Sequence, residues 1–466
     1  MKIAAVIAEF NPFHNGHRYL VQTLKKQTDA DYLVAVMSGD FVQRGAPALL
    51  DKYTRANMAL QAGVDLVLEL PAVYALSAAD QFALGGVKIL DALGCNMLGF
   101  GCEDDDLERL SEAAALFEEE PDDFWEALSA ALREGLSYPA AREQAACRCL
   151  TQRAPEAFPT EESVHDLLSG PNNTLAISYL QAIRRLHSPM TPVPIARIGS
   201  AHRDDLLPSS AGDPEKPAAQ GASPILLAEE EIIPGTIRSS GKGQIAGHVA
   251  PRLYASAGAI RAVMHDCAAT HRFLSAYPAL KQSVPGQVYD VLSGTKGGLS
   301  CQFEDDYTVM LRYALLKQDK DSLLSYCGQN ESFANRLLHH RDGWQSVTEL
   351  TELLKHKSRT YTGISRTLFR ILLGIDEATG AAAAAEPAYA RVLGMRQEAS
   401  EILSAWRQAD DLPVIVRLAE DSSILSEPQR RMLKLDLFAA DLYESVQELK
   451  TGEAAESEYT RRLLTV

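Results

Sequence analysis

The sequence predicts an α/β protein: a Rossmann-like, doubly wound parallel sheet followed by a mostly α-helical C-terminal domain. Three observations carry that reading. Short, nearly all-apolar runs alternate with helical stretches of roughly 10–15 residues over about the first 100 residues. The runs close on glycine, proline or asparagine, which gathers their C-terminal ends at loops. Beyond about residue 270, helical periodicity dominates to the end of the chain.

Ile3 to Ala8 is the first strand, apolar throughout as a strand covered on both faces must be. Asn11-Pro12 breaks it, and His14 to Lys26 reads as an amphipathic helix. Tyr32 to Met37 is a second buried strand closed by Ser38-Gly39, and residues 52–62 have helical spacing. Asp65 to Leu70 is a third strand stopped by Pro71, residues 78–93 are helical, and Met97 to Gly101 is a fourth strand. Helices follow from Leu107 to about Leu150 and from Thr174 to His187, then a strand over Pro192 to Ile198. Residues 205–250, rich in Pro, Gly, Ser and Ala, read as a mobile surface insertion. A helix opens over Tyr254 to Arg261 with Ser256 as its cap. Helical patterns then cover Tyr307 to Lys317, Phe333 to Leu338, Ser346 to Lys355, Ile364 to Leu373, Tyr389 to Arg407 and Pro428 to Glu448; Ala381 to Ala385 reads as a loop or frayed helix.

Bulk properties exclude several classes. At 466 residues the chain holds two or three domains. No apolar stretch is long enough to span a bilayer, and the N-terminus runs straight into the first strand rather than a signal peptide, so a cytoplasmic location without membrane partners is expected. The seven cysteines are scattered, and Cys147-Arg148-Cys149 is too tight for a zinc site, which predicts reduced thiols. A net charge of −17 argues against sequence-independent binding to nucleic acid, and no DNA partner is expected. The acidic runs Glu103 to Asp106 and Glu118 to Asp123 read as a solvated face.

In a doubly wound sheet ligands sit at the C-terminal strand ends, here Asn11 to His17, Ser38 to Arg44 and Gly101. His14-Asn15-Gly16-His17 places two imidazoles on one side of a helix's first turn, where free amides and the helix dipole favour an anion. Gly16 removes a side chain that would keep a nucleotide from the backbone. A metal pair or two solvated side chains are the alternatives; placement directly after the first strand favours phosphate.

Gly16 flanked by His14 and His17 is similar to the signature of the nucleotidylyltransferase superfamily. The longer strings Glu9 to His17, Met37 to Gly45 and Asp65 to Pro71 resemble the bacterial tRNA(Met) cytidine acetate ligase family, as do Phe100-Gly101, Pro171-Asn172-Asn173, Arg197-Ile198-Gly199 and Lys357 to Ile375. That resemblance implies a sheet of nucleotidylyltransferase type and a two-step reaction: acetate and ATP give acetyl-adenylate and pyrophosphate, then the wobble cytidine of elongator tRNA(Met) is acetylated at N4. It implies His14 and His17 as catalytic residues. ATP contacts would fall on Ile7, Ala8, Glu9, Phe10, Asn11, Pro12, Phe13, His14, Asn15, Gly16, His17, Arg18, Tyr19, Leu20, Gly101, Asn172 and Arg197. No metal-ligand set is implied; magnesium follows from triphosphate chemistry. Residues 1–265 would be the ATP-binding catalytic domain and residues 266–466 a helical domain contributing to tRNA binding.

Further expectations attach to that resemblance. Ser256 and Arg261 sit like a helix start that touches the β- and γ-phosphates in other adenylyltransferases, with Gly258 where Thr is usual; plain helix capping is the alternative. Asp40 stands where Asn is usual and would disfavour a nearby phosphate. Gln43 and Arg44 would position acetate or nucleotide, unless Arg44 pairs with Asp51. Lys355, His356, Lys357, Arg359, Arg366 and Arg370, with Tyr361 beside them, form a basic stretch for tRNA or an ordinary solvated helix; Arg336, His339, His340 and Arg341 form a second. A cofactor-forming adenylyltransferase would leave the helical C-terminal region without a role. A non-catalytic RNA-binding protein would not need the intact histidine pair.

Overall fold

A computed structural model of the chain describes residues 1–197, 255–270, 274–294, 300–326, 329–356, 359–385, 388–409 and 411–466. The expected insertion at 205–250, together with Ile198, Gly199, Tyr254, Cys327 and Lys357, lies outside the described residues.

The elements that position the site are β1 (Ile3–Ala8), α1 (Asn15–Thr28), β2 (Tyr32–Ser38), α2 (Lys52–Gln61), β3 (Leu66–Leu70), α3 (Ala79–Ala92), β4 (Met97–Cys102), α4 (Pro171–Arg185) and β5 (Thr191–Ala196). From the second half come α5 (Ala257–Thr270), α6 (Tyr361–Leu373), β6 (Ala390–Met395), β7 (Val414–Ile415), α7 (Glu427–Thr451) and β8 (Leu464–Thr465). One eight-stranded sheet runs β8-β6-β3-β2-β1-β4-β5, with β7 paired to β6. Neighbours from β3 to β5 are all parallel, the expected doubly wound order with its switch point between β1 and β4.

The apolar runs explain why. Alternate residues of β1 and β2 enter opposite cores: Ile3, Ala5, Ile7, Val34 and Val36 one, Ala4, Val6, Leu33, Ala35 and Met37 the other. Each strand is therefore covered on both faces, which only an unbroken apolar sequence permits. β5 is the exception. It carries Pro192 and Pro194 and stays half-exposed at the sheet edge, where missing amide donors cost nothing and discourage further pairing.

Between Leu107 and Arg153 the expected helical region is three helices, Leu107–Glu119, Asp122–Arg133 and Tyr138–Arg153. Of the two readings of residues 381–385, loop or frayed helix, the helical one holds: they close the helix Glu377–Ala385. The expected helix over Tyr389 to Arg407 is corrected more deeply. Ala390–Met395 is a buried strand pairing antiparallel with β3, and only Ser400–Ala409 of that segment is α-helical. Arg391, within that strand, is 3% exposed and its charge is met inside the protein. Gly394 lets α2 and β8 close on this strand, since a Cβ there would lie 2.9 Å from Leu60 Cδ1 and 3.1 Å from Leu464 Cβ. The second half of the chain thus returns to the first half's sheet.

Candidate active site

A cavity of about 680 Å³ opens at the C-terminal ends of β2, β1, β4 and β5. β1 delivers Ile7 and Ala8 to it, the following loop Glu9, Phe10 and Asn11, and α1 contributes Gly16, His17, Tyr19 and Leu20. His14, the N-cap of α1, lines it as well.

The histidine pair is built by the helix start. His14 Nδ1 accepts a hydrogen bond from the Gly16 amide at 3.0 Å, and His17 Nδ1 accepts one from the His14 amide at 3.3 Å. Two histidines thus do the reciprocal capping that Ser and Glu do elsewhere. Because both Nδ1 atoms accept, this hydrogen-bond pattern assigns each ring its proton at Nε2, the nitrogen left to donate. The rings stack with centroids 3.7 Å apart and planes 20° from parallel. Burial, with Phe10 and Phe13 packed on the ring, and the Arg197 charge push the His17 imidazole down to about 3. It is therefore neutral at physiological pH. Gly16 has a reason the sequence did not reveal: its absent side chain makes room for the His14 ring, since a Cβ would lie 2.8 Å from Cε1.

The charge inside the cavity runs against that of the chain. Four arginines line it (Arg44, Arg197, Arg261 and Arg366), and among the described lining residues Glu9 is the only carboxylate. Asn172 Oδ1 accepts from Arg197 Nη1 at 3.0 Å, while the Glu103 carboxylate accepts from the amides of Asn172 and Asn173 and caps α4. Glu103 thus lies on the solvated face expected of the charge run and at the same time caps the helix that carries Asn172. Gly101 lies beside Arg197, whose Cγ would be 3.4 Å from an added Cβ. Arg261 donates to the Asn11 carbonyl at 2.8 Å, and Ser256 caps α5 through the Ala259 amide; both also face the cavity, as does Gly258.

Of the residues expected at the nucleotide, four stand outside the cavity lining. Pro12 follows a cis peptide, and Phe13 is buried under His17. Asn15 donates to the Gln282 carbonyl, and Arg18 is half-buried on α1. Asp40 is also corrected as an influence on phosphate. It does not line the cavity; it is buried, accepts from the Lys52 amide at 2.8 Å, and lies 3.7 Å from Lys52 Nζ. Gln43 and Arg44 do face the cavity, and Asp51 caps α2 instead of pairing with Arg44.

The expected basic face for tRNA is not one surface. Arg366 turns into the cavity and Arg370 donates to the Leu76 carbonyl. Arg359 lies over the Phe333 ring, and Arg336 holds the carbonyls of Leu353, Leu354 and Lys355. Beside Phe100, sequence reasoning missed the apolar wall of Phe82, Leu175 and Tyr179. These look like ordinary core residues, and nothing local marks them. Among the described residues no group of three or more His, Cys, Asp or Glu stands together as metal ligands.

Comparison with known proteins follows the same line. The family model described as HIGH Nucleotidyl Transferase matches residues 1–212 and 222–458. A tRNA(Met) cytidine acetate ligase of Thermoanaerobacter sp. strain X514 is 32% identical over 453 residues, covering 95% of each chain. Its counterpart from Acetivibrio thermocellus is 29% identical over 468 residues and 100% of each chain. The crystal structure of apo Thermotoga maritima TmcAL matches with a TM-score of 0.82 at 26% identity over 100% of both chains. The form bound with alpha-thio ATP gives 0.81 at 25% identity over the same coverage. This chain belongs to the HIGH Nucleotidyl Transferase family and, within it, to the tRNA(Met) cytidine acetate ligases.

Proposed function

We propose that this chain activates acetate with ATP and acetylates N4 of the wobble cytidine of elongator tRNA(Met). The observation that carries the reading is the stacked His14–His17 pair at the start of α1, with His17 neutral, set in a cavity lined by four arginines. That arrangement suits a polyanion whose charge grows in the transition state.

An acetate oxygen attacks the α-phosphorus; the bond to the bridging oxygen breaks and pyrophosphate leaves with its electron pair. Nε2–H of His14 and His17 donates to phosphate oxygens, and Arg197 and Arg261 balance their charge. In the second step the cytidine amine attacks the acyl carbon, the C–O bond to AMP breaks, and the amine proton goes to solvent. Magnesium would travel with the triphosphate. Glu9 is the one carboxylate among the described lining residues that could meet such an ion, and no step is routed through it. Residues 1–265 would carry most of the activation site, with Thr362 and Arg366 of the second half lining the same cavity, and residues 266–466 would also contribute to tRNA binding. No helix among the described residues is long and apolar enough to cross a membrane, and a tRNA substrate would place the reaction in the cytoplasm.

Incubation with ATP, labelled acetate and bulk tRNA, followed by nucleoside analysis, tests the reading. Label in N4-acetylcytidine is expected. Pyrophosphate release that requires a phosphorylated small molecule instead of acetate would overturn it in favour of a cofactor-forming adenylyltransferase.

A further inference from the structure

We propose that Arg366 of α6 holds the carboxylate of acetate, so that the C-terminal half of the chain supplies the second small substrate's subsite. The inference rests on the acetate-activating function and assigns one residue within it.

Geometry places Arg366 beside Glu9, at the end of the cavity opposite Arg197. Its Nη1 donates to the Gln43 carbonyl at 3.1 Å, and the Gln43 amide donates to Glu9 Oε1 at 2.7 Å. Gln43 follows β2, whereas Arg197 follows β5, with β1 and β4 between them in the sheet. Three inter-strand steps separate those ends, about 14 Å at the usual spacing. That span separates a small acid from the far end of a nucleotide.

Charge separates the two ends as well. Arg197 and Arg261 share their end with the α1 N-terminus and the stacked histidines, a polyanion's environment. Arg366 and Arg44 share theirs with Glu9, a net single positive charge among the described lining residues. A monoanion matches it; a triphosphate does not. Phe82 lines the same cavity and offers a methyl group an apolar wall.

Arg366 is also prepared to bind. No carboxylate lies within ion-pair distance of its guanidinium among the described residues, and Gln43 takes only one arm of the fork. The remaining N–H groups can engage a carboxylate through two parallel bonds. Burial and the neighbouring Arg370 hold its pKa below the usual arginine value, while Asp80 and Glu9 raise it only in part. An incoming carboxylate would relieve that cost. The helix that carries it is seated by close contact: Ser365 Oγ donates to the Gly45 carbonyl, and a Cβ on Gly45, which has φ +80°, would lie 2.2 Å from the Arg366 amide nitrogen.

The test is acetate-dependent ATP–pyrophosphate exchange by the full chain without tRNA, comparing wild type, Arg366→Ala and Arg366→Lys. Losing charge-assisted hydrogen bonds should raise the acetate KM roughly 10–100-fold in Arg366→Ala, with the ATP KM within about twofold. Arg366→Lys keeps the charge without the fork and should fall between; it remains readable if the alanine variant folds poorly. Methylguanidine should restore part of the alanine variant's acetate affinity. An unmoved acetate KM in both variants overturns the assignment, whether the defect then appears in the ATP KM or in tRNA binding. A wild-type chain that gives no acetate-dependent exchange either with or without bulk tRNA overturns the acetate function itself, and this subsite with it.

Discussion

Nζ of Lys52, at the start of α2, lies 3.0 Å from Oε1 of Glu458, near the opposite end of the chain. Both side chains are almost wholly buried, at 1% and 4% exposure. Lys52 also meets Glu69 at 2.9 Å, Arg391 reaches Glu69 at 3.0 Å and pairs with Glu458, and the Tyr53 hydroxyl donates to Glu458 at 2.6 Å. This network ties the C-terminal tail and β6 to the N-terminal sheet.

Removing one partner of a buried network leaves the others' charges uncompensated, which costs about 3–5 kcal/mol. Glu458→Gln should lower the unfolding free energy by that order in denaturant titrations. Burial pushes the Glu458 carboxyl up, but Lys52 and Arg391 pull it further down, to about 2. A depressed carboxyl stabilises the fold above its unfolded value near 4.5 and loses that contribution as pH falls towards 2. The variant's deficit should therefore be full at pH 7 and shrink below pH 4. A deficit under about 1 kcal/mol, the usual worth of an exposed pair, would contradict the buried network.

His14→Ala and His17→Ala should each slow acetate-dependent pyrophosphate exchange by about 10²–10³-fold, the usual loss for one positioned donor. The cap they form on α1 adds a stability cost of about 1 kcal/mol. Because the His17 imidazole is held down to about 3, it stays neutral across the working range. A kcat/KM profile with an inflection near 6.5 that disappears in His17→Asn would show a protonating histidine and refute this assignment.

Gly16→Ala sets two effects against each other. Alanine improves helix propensity by roughly 0.5–1 kcal/mol, while its Cβ, 2.8 Å from His14 Cε1, forces the ring out of its stack with His17. Stability should change by less than about 1 kcal/mol, whereas exchange activity should fall at least about tenfold through misplacement of the donor. Thermal unfolding and exchange on one sample separate the two. Wild-type activity would mean that the stacked arrangement does not matter.

What the sequence made legible was what local chemistry decides. An all-apolar run followed by Asn-Pro and a histidine-capped turn specified β1, α1 and the site loop, and the alternation that followed specified the sheet. What it hid depends on partners far along the chain. The segment from Tyr389 read as helix because the partners of its strand, and the acids Glu69 and Glu458 that meet Arg391, come from elsewhere. The basic stretch around α6 looked continuous because the chain alone does not show that Arg366 enters the cavity while Arg370 holds the loop at Leu76. Asp40 looked like a site residue because it follows β2, yet its side chain meets Lys52.

Asp40 supplies the remaining prediction. Burial raises its carboxyl to about 6 against the pull of Lys52 and Arg55. The sign is opposite to that of Glu458: a carboxyl raised above its unfolded 3.8 contributes its stability below that value and loses it as pH rises through about 6. Asparagine keeps an acceptor for the Lys52 amide and does not titrate. Relative to wild type, Asp40→Asn should therefore gain about 2–3 kcal/mol of stability between pH 4 and pH 8. Since Asp40 does not line the cavity, the variant's ATP KM in the exchange assay should stay within about twofold. Denaturant titrations at the two pH values read the first effect. An equal difference at both would mean that Asp40 is ionised in the fold as readily as in water, and a large fall in ATP KM would return it to the phosphate site.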